Sequence, residues 1–430
     1  MIKKMIASLQ SVAGVTDYQI AITEEVRHEA YFVLGKRETV RNTDVTSYAV
    51  TVFKKMSKDG KELLGSSTFN VPYTLSQKAL AKKIEEALYS ASFVENKAYE
   101  IPTGDGKKHT FHSPEITDDP WKTIDTVAEI FHGYAKPGKK FNALEIFLIA
   151  SKVRIINSKG VDYTKNSAVL EVEAIPSFDG HKPEDPVNQK VELYRYFRYR
   201  EINLDTIRAD AQHALEEVEA RFNATKIPAL GTIDVIIKDE EVISLCNDLI
   251  SDLSYAGVYN HATDKKIGDV LQTVDKGEKL TIGLDKRYPA DKFDGDGVLL
   301  TPVTVIKNGK VESYYGGNRF AQYLGVKPTG NLGGLKVALG KTSKEDLFKG
   351  PHIEIISLSG IQLDIYSSYI GGEVRLAYYF DGTKKIPVSG FSFSGNLFKT
   401  LENIRISQDQ YVTTTYVGPK YIRLPSVEVL

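Results

Sequence analysis

A metal site that activates water needs three protein ligands, an open position for the water and a nearby base, roles most often filled by histidine and glutamate. The chain has eight histidines among its 430 residues, and only His28 is followed directly by a glutamate, Glu29. No histidine follows this pair at the spacing of a helical zinc motif. The flanking residues alternate as in a strand, where adjacent side chains face opposite sides. We therefore expect His28 and Glu29 to have structural roles.

Two further histidine groupings have simple alternatives to metal binding. His109 and His112 stand three residues apart in a segment rich in lysine and glycine, where such a pair can bind a metal adventitiously. The composition favours a solvated loop instead. His213 lies close to Glu216 and Glu217 in a helical pattern, whose polar face these residues would occupy.

The single cysteine, Cys246, excludes an intrachain disulfide and a cage of several cysteines. Val242, Leu245, Leu249 and Leu253 place it on one apolar face of a predicted helix. A free cysteine packs there as a small apolar side chain, so core packing is favoured over a reactive role.

Two loops contain residues that bind phosphate or calcium in other sequences. Residues 340–342 (Gly-Lys-Thr) resemble the end of a phosphate-binding loop, but Gly334 lies one residue too far upstream. Asp294 and Asp296 belong to an Asp-Gly-Asp-Gly segment without the spaced acidic positions and closing glutamate of a calcium loop. Turn formation explains both aspartates.

Residues 194–200 (YRYFRYR) interleave aromatic and basic side chains, a pattern that can stack on bases and hold phosphates. In a strand each face would carry a mixture of both types, as at a junction between domains. The net charge is −1, and nucleic-acid binders usually carry a basic surplus. We expect a structural or interdomain role and no direct contact with nucleic acid.

The elements that position these residues predict an α+β, multi-domain protein with a mixed α/β N-terminal half and a β-rich C-terminal domain. We divide the chain at 1–112, at 113–225, which ends in a long helix at 204–222, and at 226–430. Helix caps are predicted at Thr74, Asp119 and Thr342. Asn308-Gly309 and Asp381-Gly382 predict hairpins, and 176–189 predicts a surface loop.

The N-terminus is basic, but Gln10 and Ser11 interrupt the apolar region that a signal peptide would need. No apolar run approaches the roughly 20 residues that span a membrane. These features, with the single cysteine, predict a cytoplasmic protein without membrane contact.

Several segments of the C-terminal half resemble the TldD/PmbA family, also described as modulators of DNA gyrase. They lie in the family's order, and a further turn at 156–160 (INSKG) resembles one in its middle unit. The C-terminal segments are 304–309 (TVIKNG), 327–334 (KPTGNLGG), 342–347 (TSKEDL), 360–364 (GIQLD) and 387–396 (PVSGFSFSGN). The resemblance implies that 226–430 is a metalloprotease-like domain.

In this family one subunit type has a zinc-binding HExxxH helix and a downstream cysteine ligand, whereas the PmbA/TldE type lacks them. Under the resemblance the motif falls on Cys246, Asn247 and Ser251, and the ligand cysteine falls within 357–359 (Ser-Leu-Ser). Asparagine cannot accept a proton as glutamate does, and serine is a poor zinc ligand. We therefore expect a degenerate site with no catalytic residue, metal or other cofactor.

The resemblance implies a non-catalytic subunit of a TldD/TldE-type cytosolic metalloprotease that acts on unfolded peptides. Its expected partners are an HExxxH-bearing TldD-like subunit, a second copy of the chain, or both, together with a peptide substrate. The alternative is a stand-alone peptide-binding or regulatory protein, linked only indirectly to inhibition of DNA gyrase.

Overall fold

The computed structural model of the chain describes residues 1–182, 189–273, 276–286 and 288–430. Its N-terminal module combines helices with one large sheet. The helices are α1 (Ile2–Ser11), α2 (Gln77–Ala91), α3 (Pro120–Gly133) and α4 (Leu204–Asn223). The strands are β1 (Asp17–Val33), β2 (Lys36–Lys58), β3 (Lys61–Asn70), β4 (Asn96–Lys97), β5 (His109–Phe111), β6 (Lys139–Asn157), β7 (Asp162–Asp179), β8 (Lys190–Glu192) and β9 (Arg195–Tyr199).

These strands form a nine-stranded sheet in the order β4-β3-β2-β1-β6-β7-β5, with β8 and β9 also paired to β7. The central contact joins β1 to β6 in antiparallel register from Gln19–Asn157 to Val33–Ala143. The units predicted at 1–112 and 113–225 therefore share one sheet. Their strand pairing bridges more than 100 residues of sequence, and local periodicity carries no information about such a contact.

All four helices cover the same face of the sheet. Ile20, Ile22, Ala30 and Phe32 alternate along β1 and are buried on that face, the first two under α1 and α2 and the others under α3 and α4. The opposite face carries charged side chains from several strands, among them Glu25, Arg27 and Glu171. This division gives the module one helical side and one polar side.

The C-terminal module contains five short helices and thirteen strands within the described residues. The helices are α5 (Glu240–Ser251), α6 (Tyr255–Tyr259), α7 (Asn318–Tyr323), α8 (Lys344–Leu347) and α9 (Leu397–Leu401). The strands are β10 (Thr232–Lys238), β11 (Ile282–Asp285), β12 (Val303–Lys307), β13 (Lys310–Val311), β14 (Gly334–Val337), β15 (His352–Asp364), β16 (Tyr369–Phe380), β17 (Lys385–Val388), β18 (Phe391–Asn396), β19 (Arg405–Ile406), β20 (Gln410–Val412), β21 (Tyr416–Pro419) and β22 (Tyr421–Val429).

Two sheets build this module. The seven-stranded sheet has the order β10-β15-β16-β18-β22-β19, with β17 also paired to β16. Because β10 pairs with β22 as well, β10, β15, β16, β18 and β22 close into a ring. The six-stranded sheet has the order β13-β12-β11-β14-β21-β20. Both sheets and α5 contribute to one large apolar core. The predicted α+β class with a β-rich C-terminal part is confirmed.

The two modules meet through an apolar contact and through hydrogen bonds. Phe293, 1% exposed, packs on the polar side of the N-terminal sheet against Ile155, Val161 and Tyr163. Near it, Asn318 on α7 donates to the Glu100 carbonyl oxygen at 2.7 Å. The C-terminal module therefore packs against part of that side of the sheet.

Local sequence signals predicted one helix cap and one hairpin turn at the correct residues. Two other helix caps lie one or two residues from the predicted position. Asp119 caps α3 through Lys122 N–H, and Asn308-Gly309 joins β12 to β13, as predicted. The predicted cap Thr74 is wrong because Ser76 accepts the bond from Ala79 N–H. Thr342 is likewise replaced by Ser343. Residues 183–188 of the loop predicted at 176–189 lie outside the described residues.

Candidate functional site

The helix that resembles the family's zinc helix is α5, and it begins at an unusual backbone turn. Strand β10 leads into Asp239, whose φ of 50° and ψ of −115° lie in a region that non-glycine residues rarely adopt. Asp239 N–H donates to the Lys420 carbonyl oxygen, yet its side chain does not cap the helix. The direction of α5 is therefore set by backbone pairing with the β21–β22 junction.

The three residues of α5 that the resemblance aligns with the zinc motif have different surroundings. Cys246 is fully buried in the apolar core, as its helix face predicts, and burial raises the pKa of its thiol to about 12. Asn247 lines one cavity, and Ser251 lines a groove on another side of the helix. The helix thus does not bring these three side chains together around one point.

The cavity beside Asn247 has a volume of about 180 Å³. Other parts of its wall come from Ile243 and Ile250 on α5, from Tyr315, and from Leu332 and Gly333 in the loop before β14. Tyr315 O–H donates to the Ile250 carbonyl oxygen at 3.2 Å, which attaches this wall to the helix. The Asn247 amide makes no hydrogen bond with any described residue, so it is free to contact a ligand.

The groove beside Ser251 is larger, at about 480 Å³, and lies between α5 and β15. Asp248, Ser251 and Asp252 form one wall, and residues 361–366 form the other. Strand β15 pairs with β10 only at Ile353 and Glu354, whereas its pairing with β16 continues to Asp364. Among the described strands, none therefore pairs with the groove side of residues 357–364.

The free segment of β15 is fixed near both ends. Leu358 N–H donates to Glu241 on α5 at 3.2 Å, and Tyr366 O–H donates to the Ala262 carbonyl oxygen. Register shifts between Ile355 and Ile361 mark bulges in the β15–β16 pair. Bulges commonly redirect a strand beside a functional site. Contacts at both ends therefore hold this strand segment in place, and its unpaired edge lies along the groove.

Carboxylates around α5 lie where their charged form is poorly stabilised. Burial raises the pKa of Asp239 and of Glu241, and nearby acidic groups raise each further. Burial also raises the pKa of Asp248 in the groove wall. One Asp239 oxygen, Oδ1, is buried without a hydrogen-bond partner. Such perturbed groups are typical of functional sites, although structural clusters also produce them.

The histidines singled out in the sequence lie elsewhere. His28 stacks edge-on against Trp121, and Glu29 binds Arg41 and Tyr31. His109 pairs with Asp105 on the surface. Within the described part of the chain, no group of three or more histidine, cysteine, aspartate or glutamate side chains is arranged to hold a metal ion.

The remaining candidates have structural partners. Asp294 accepts bonds from the backbone N–H groups of Asp296, Val298 and Asn331, which is the predicted turn role. Arg200, in the 194–200 segment, pairs with Asp291 of the C-terminal module at 3.6 Å, as expected for an interdomain position. Lys341 N–H donates to Glu278, so the 340–342 segment is held by a carboxylate.

Sequence reasoning missed the groove itself. Residues 360–364 (GIQLD) were identified only by their resemblance to a family segment, and no groove was predicted there. The unpaired edge depends on where β10 ends relative to β15, which is a long-range register and leaves no local pattern. A glycine in a strand, Gly360 with φ of 125°, was the one available sign of a bulge.

Comparisons with known proteins identify a family match for the C-terminal module. Residues 231–430 match the PmbA/TldA metallopeptidase C-terminal domain. No curated protein matches the chain in sequence. No helix in the described residues has the length and apolar character to cross a membrane.

Solved structures share the fold over the whole chain. A protein of Thermotoga maritima described as a modulator of a DNA gyrase is 18% identical with a TM-score of 0.75, and 100% of each chain is covered. TldE from Thermococcus kodakarensis is 15% identical with a TM-score of 0.76, covering 100% of this chain and 99% of that one. A DNA gyrase modulator of Bacteroides thetaiotaomicron is also 15% identical with a TM-score of 0.76, covering 100% and 97%.

These likenesses give the chain a shared fold, and the match at 231–430 carries the assignment further. Residues 231–430 are thereby identified as a PmbA/TldA metallopeptidase C-terminal domain.

Proposed function

We propose that this protein is a PmbA/TldE-like, non-catalytic subunit of a TldD/TldE-type cytoplasmic metalloprotease that acts on unfolded peptides. The observation that carries the proposal is the chemistry of α5, where the resemblance aligns Cys246, Asn247 and Ser251 with the zinc motif. The structural likeness to TldE from Thermococcus kodakarensis supports the choice of subunit type.

None of these three side chains can do the work of the zinc motif. The Cys246 thiol is enclosed by the core and has a pKa of about 12, so the thiolate that binds metal is disfavoured. The Asn247 amide cannot take a proton from water. Ser251 is a weak zinc ligand, and its hydroxyl donates to the Asp248 carbonyl oxygen. Hydrolysis therefore has to come from a partner subunit that carries HExxxH.

The contribution of this chain would be to hold the peptide. Residues 357–364 of β15 offer an unpaired strand edge beside a groove of about 480 Å³. An extended peptide can add to such an edge through backbone hydrogen bonds, which accept many sequences. Asp248, Asp252 and Asp364 line the groove and favour peptides with basic or uncharged side chains. Nothing in this arrangement calls for direct contact with nucleic acid.

Two substitutions on α5 test where the peptide lies. Ser251→Trp would fill the groove, and Asn247→Trp, its matched control, would fill the smaller cavity on another side of the same helix. Fluorescence anisotropy with a labelled, unfolded basic peptide should show at least about tenfold weaker binding for the groove variant alone. Equal binding by the Ser251 variant and the wild type would contradict the placement on β15.

Co-expression with an HExxxH-bearing subunit tests the assignment to a complex. We expect the two chains to purify together at a fixed ratio and to cleave peptides only when both are present. If this chain purifies alone or as a homodimer, and still binds peptide, the alternative of a stand-alone peptide-binding or regulatory protein is supported instead.

A further inference from the structure

A second cavity lies on the polar side of the N-terminal sheet, away from α5. Its volume is about 180 Å³, and strands β1, β6, β7 and β9 form its base. Ser151 and Ser167 stand directly opposite each other on β6 and β7. Because these side chains are small, they leave a depression between the longer side chains of neighbouring positions. Arg27, Arg198 and Arg200 line its walls.

The carboxylates of this cavity already have partners. Glu25 accepts from Arg27 Nε at 2.6 Å and from the Ser151 hydroxyl at 3.3 Å. Glu171 pairs with Arg198 Nε at 3.1 Å. Three arginines and two glutamates line the cavity, and Asp291 pairs with Arg200 from outside its walls. Its acceptors are therefore largely satisfied.

Two hydrogen-bonding groups of this cavity have no partner among the described residues, and both can donate. Arg200 Nε is buried and has no hydrogen-bond partner, although the guanidinium pairs with Asp291 through another nitrogen. The Ser167 hydroxyl also makes no hydrogen bond with any described residue. A buried guanidinium N–H without a partner is costly, and a bound acceptor would remove that cost.

We propose that this cavity is a binding site for a small carboxylate, held by Arg200 and Ser167 with Arg27 and Arg198 at its sides. Guanidinium groups recognise the planar carboxylate through paired N–H donors, and a hydroxyl can add a third bond. The carboxylate belongs either to a small free acid or to the C-terminus of a peptide. The site uses none of the α5 residues, so it stands independently of the proposed protease role.

Calorimetric titration of the purified full chain tests the site with four probes: sodium acetate, an N-acetylated tripeptide with a free C-terminus, its C-terminal amide, and inorganic phosphate. A free-acid ligand predicts that acetate binds and competes with the tripeptide. A peptide C-terminus predicts that the free tripeptide binds at least about tenfold more tightly than either its amide or acetate. Binding of phosphate alone, or of no probe, would overturn the proposal.

Variants locate the binding. Ser167→Val fills the depression with a strand-compatible side chain and keeps all three arginines, and we expect it to weaken carboxylate binding about tenfold or more. Ser47→Val makes the same change at an exposed position of β2 and should leave the affinity unchanged. Binding that survives Ser167→Val but is lost in Ser251→Trp would belong to the groove on β15 and would refute the second site.

Discussion

Two carboxylates, the buried Glu29 in the N-terminal module and the partly buried Asp239 in the C-terminal module, have opposite electrostatic surroundings. Glu29, 1% exposed in the N-terminal sheet, accepts bonds from Arg41 and Tyr31, and these partners lower its pKa despite the opposing effect of burial. Asp239 at the start of α5 has a Lys238 contact of 3.8 Å, and burial raises its pKa although Lys238 and Lys420 oppose this effect. The sheet thus stabilises its buried charge, whereas the site region does not.

This difference indicates which part of the molecule is arranged for stability and which is not. A lowered carboxylate pKa stabilises the folded state at neutral pH, and a raised one destabilises it. Unfavourable charges and a strained backbone at Asp239 persist only because the surrounding fold holds them. Such features cluster where a helix is positioned for function, which agrees with α5 as the centre of the candidate site.

Removing the main apolar contact between the two modules should have the largest effect on stability. Phe293→Ala removes a ring that is 1% exposed and packs on Ile155, Val161 and Tyr163. We expect the free energy of unfolding to fall by about 3–5 kcal/mol, because a large core side chain is lost and a cavity remains. Thermal unfolding should then separate into two transitions. Phe93→Ala, at a ring 68% exposed, is the control and should change stability by less than about 0.5 kcal/mol.

Removing the well-paired carboxylate should have the next largest effect. Glu29→Ala deprives Arg41 and Tyr31 of their acceptor, and we expect a loss of about 1–3 kcal/mol at pH 7 in urea unfolding. Because the folded pKa of Glu29 lies below its ordinary 4.5, this stabilisation is complete above pH 4.5 and disappears as the pH falls through the folded value.

The control for this variant is Glu24→Gln, at another position of β1. It breaks an exposed ion pair between Glu24 and Lys152 of β6. That change should cost less than about 0.5 kcal/mol at any pH. An equal loss of stability in both variants would mean that the buried contacts of Glu29 stabilise the fold no more than an exposed ion pair does.

Neutralising the unfavourable carboxylate should have the opposite sign. Asp239→Asn should raise the free energy of unfolding at pH 7, because it removes a charge that burial disfavours. The folded pKa of Asp239 is raised, so wild-type stability declines as the pH rises from the ordinary value of 3.8 through the folded value. The gain of the variant should therefore grow with pH across that window and be small at pH 3.

Asp234→Asn provides the contrast, since Asp234 pairs with Arg423 at 2.8 Å and accepts from Ser426 N–H. It should destabilise the protein at pH 7. A loss of stability in both aspartate variants would show that Asp239 is stabilising, contrary to its surroundings.

The smallest effect is expected at Glu241. Glu241→Gln keeps an acceptor for Leu358 N–H and removes a charge whose pKa burial raises, so stability should change by less than about 0.5 kcal/mol. Glu241→Ala should instead speed hydrogen exchange of the Leu358 amide, because the link from α5 to β15 is gone. Unchanged exchange in the alanine variant would show that Glu241 does not hold the strand.

Local sequence signals predicted what depends on nearby residues. Asp119 and Pro120 located the start of α3, and the apolar face around Cys246 predicted its burial. The β1–β6 pairing and the edge of β15 could not be predicted, because strand register is set by contacts far apart in sequence. The unpartnered Arg200 Nε is equally invisible in the 194–200 segment, since only tertiary packing decides whether a donor finds an acceptor.

Zinc content, measured together with peptide hydrolysis on the isolated chain, tests the central claim most directly. We expect no stoichiometric zinc and no cleavage of an unfolded peptide by the chain alone, with cleavage appearing when an HExxxH-bearing subunit is added. One zinc per chain with hydrolysis in the absence of any partner would contradict the account.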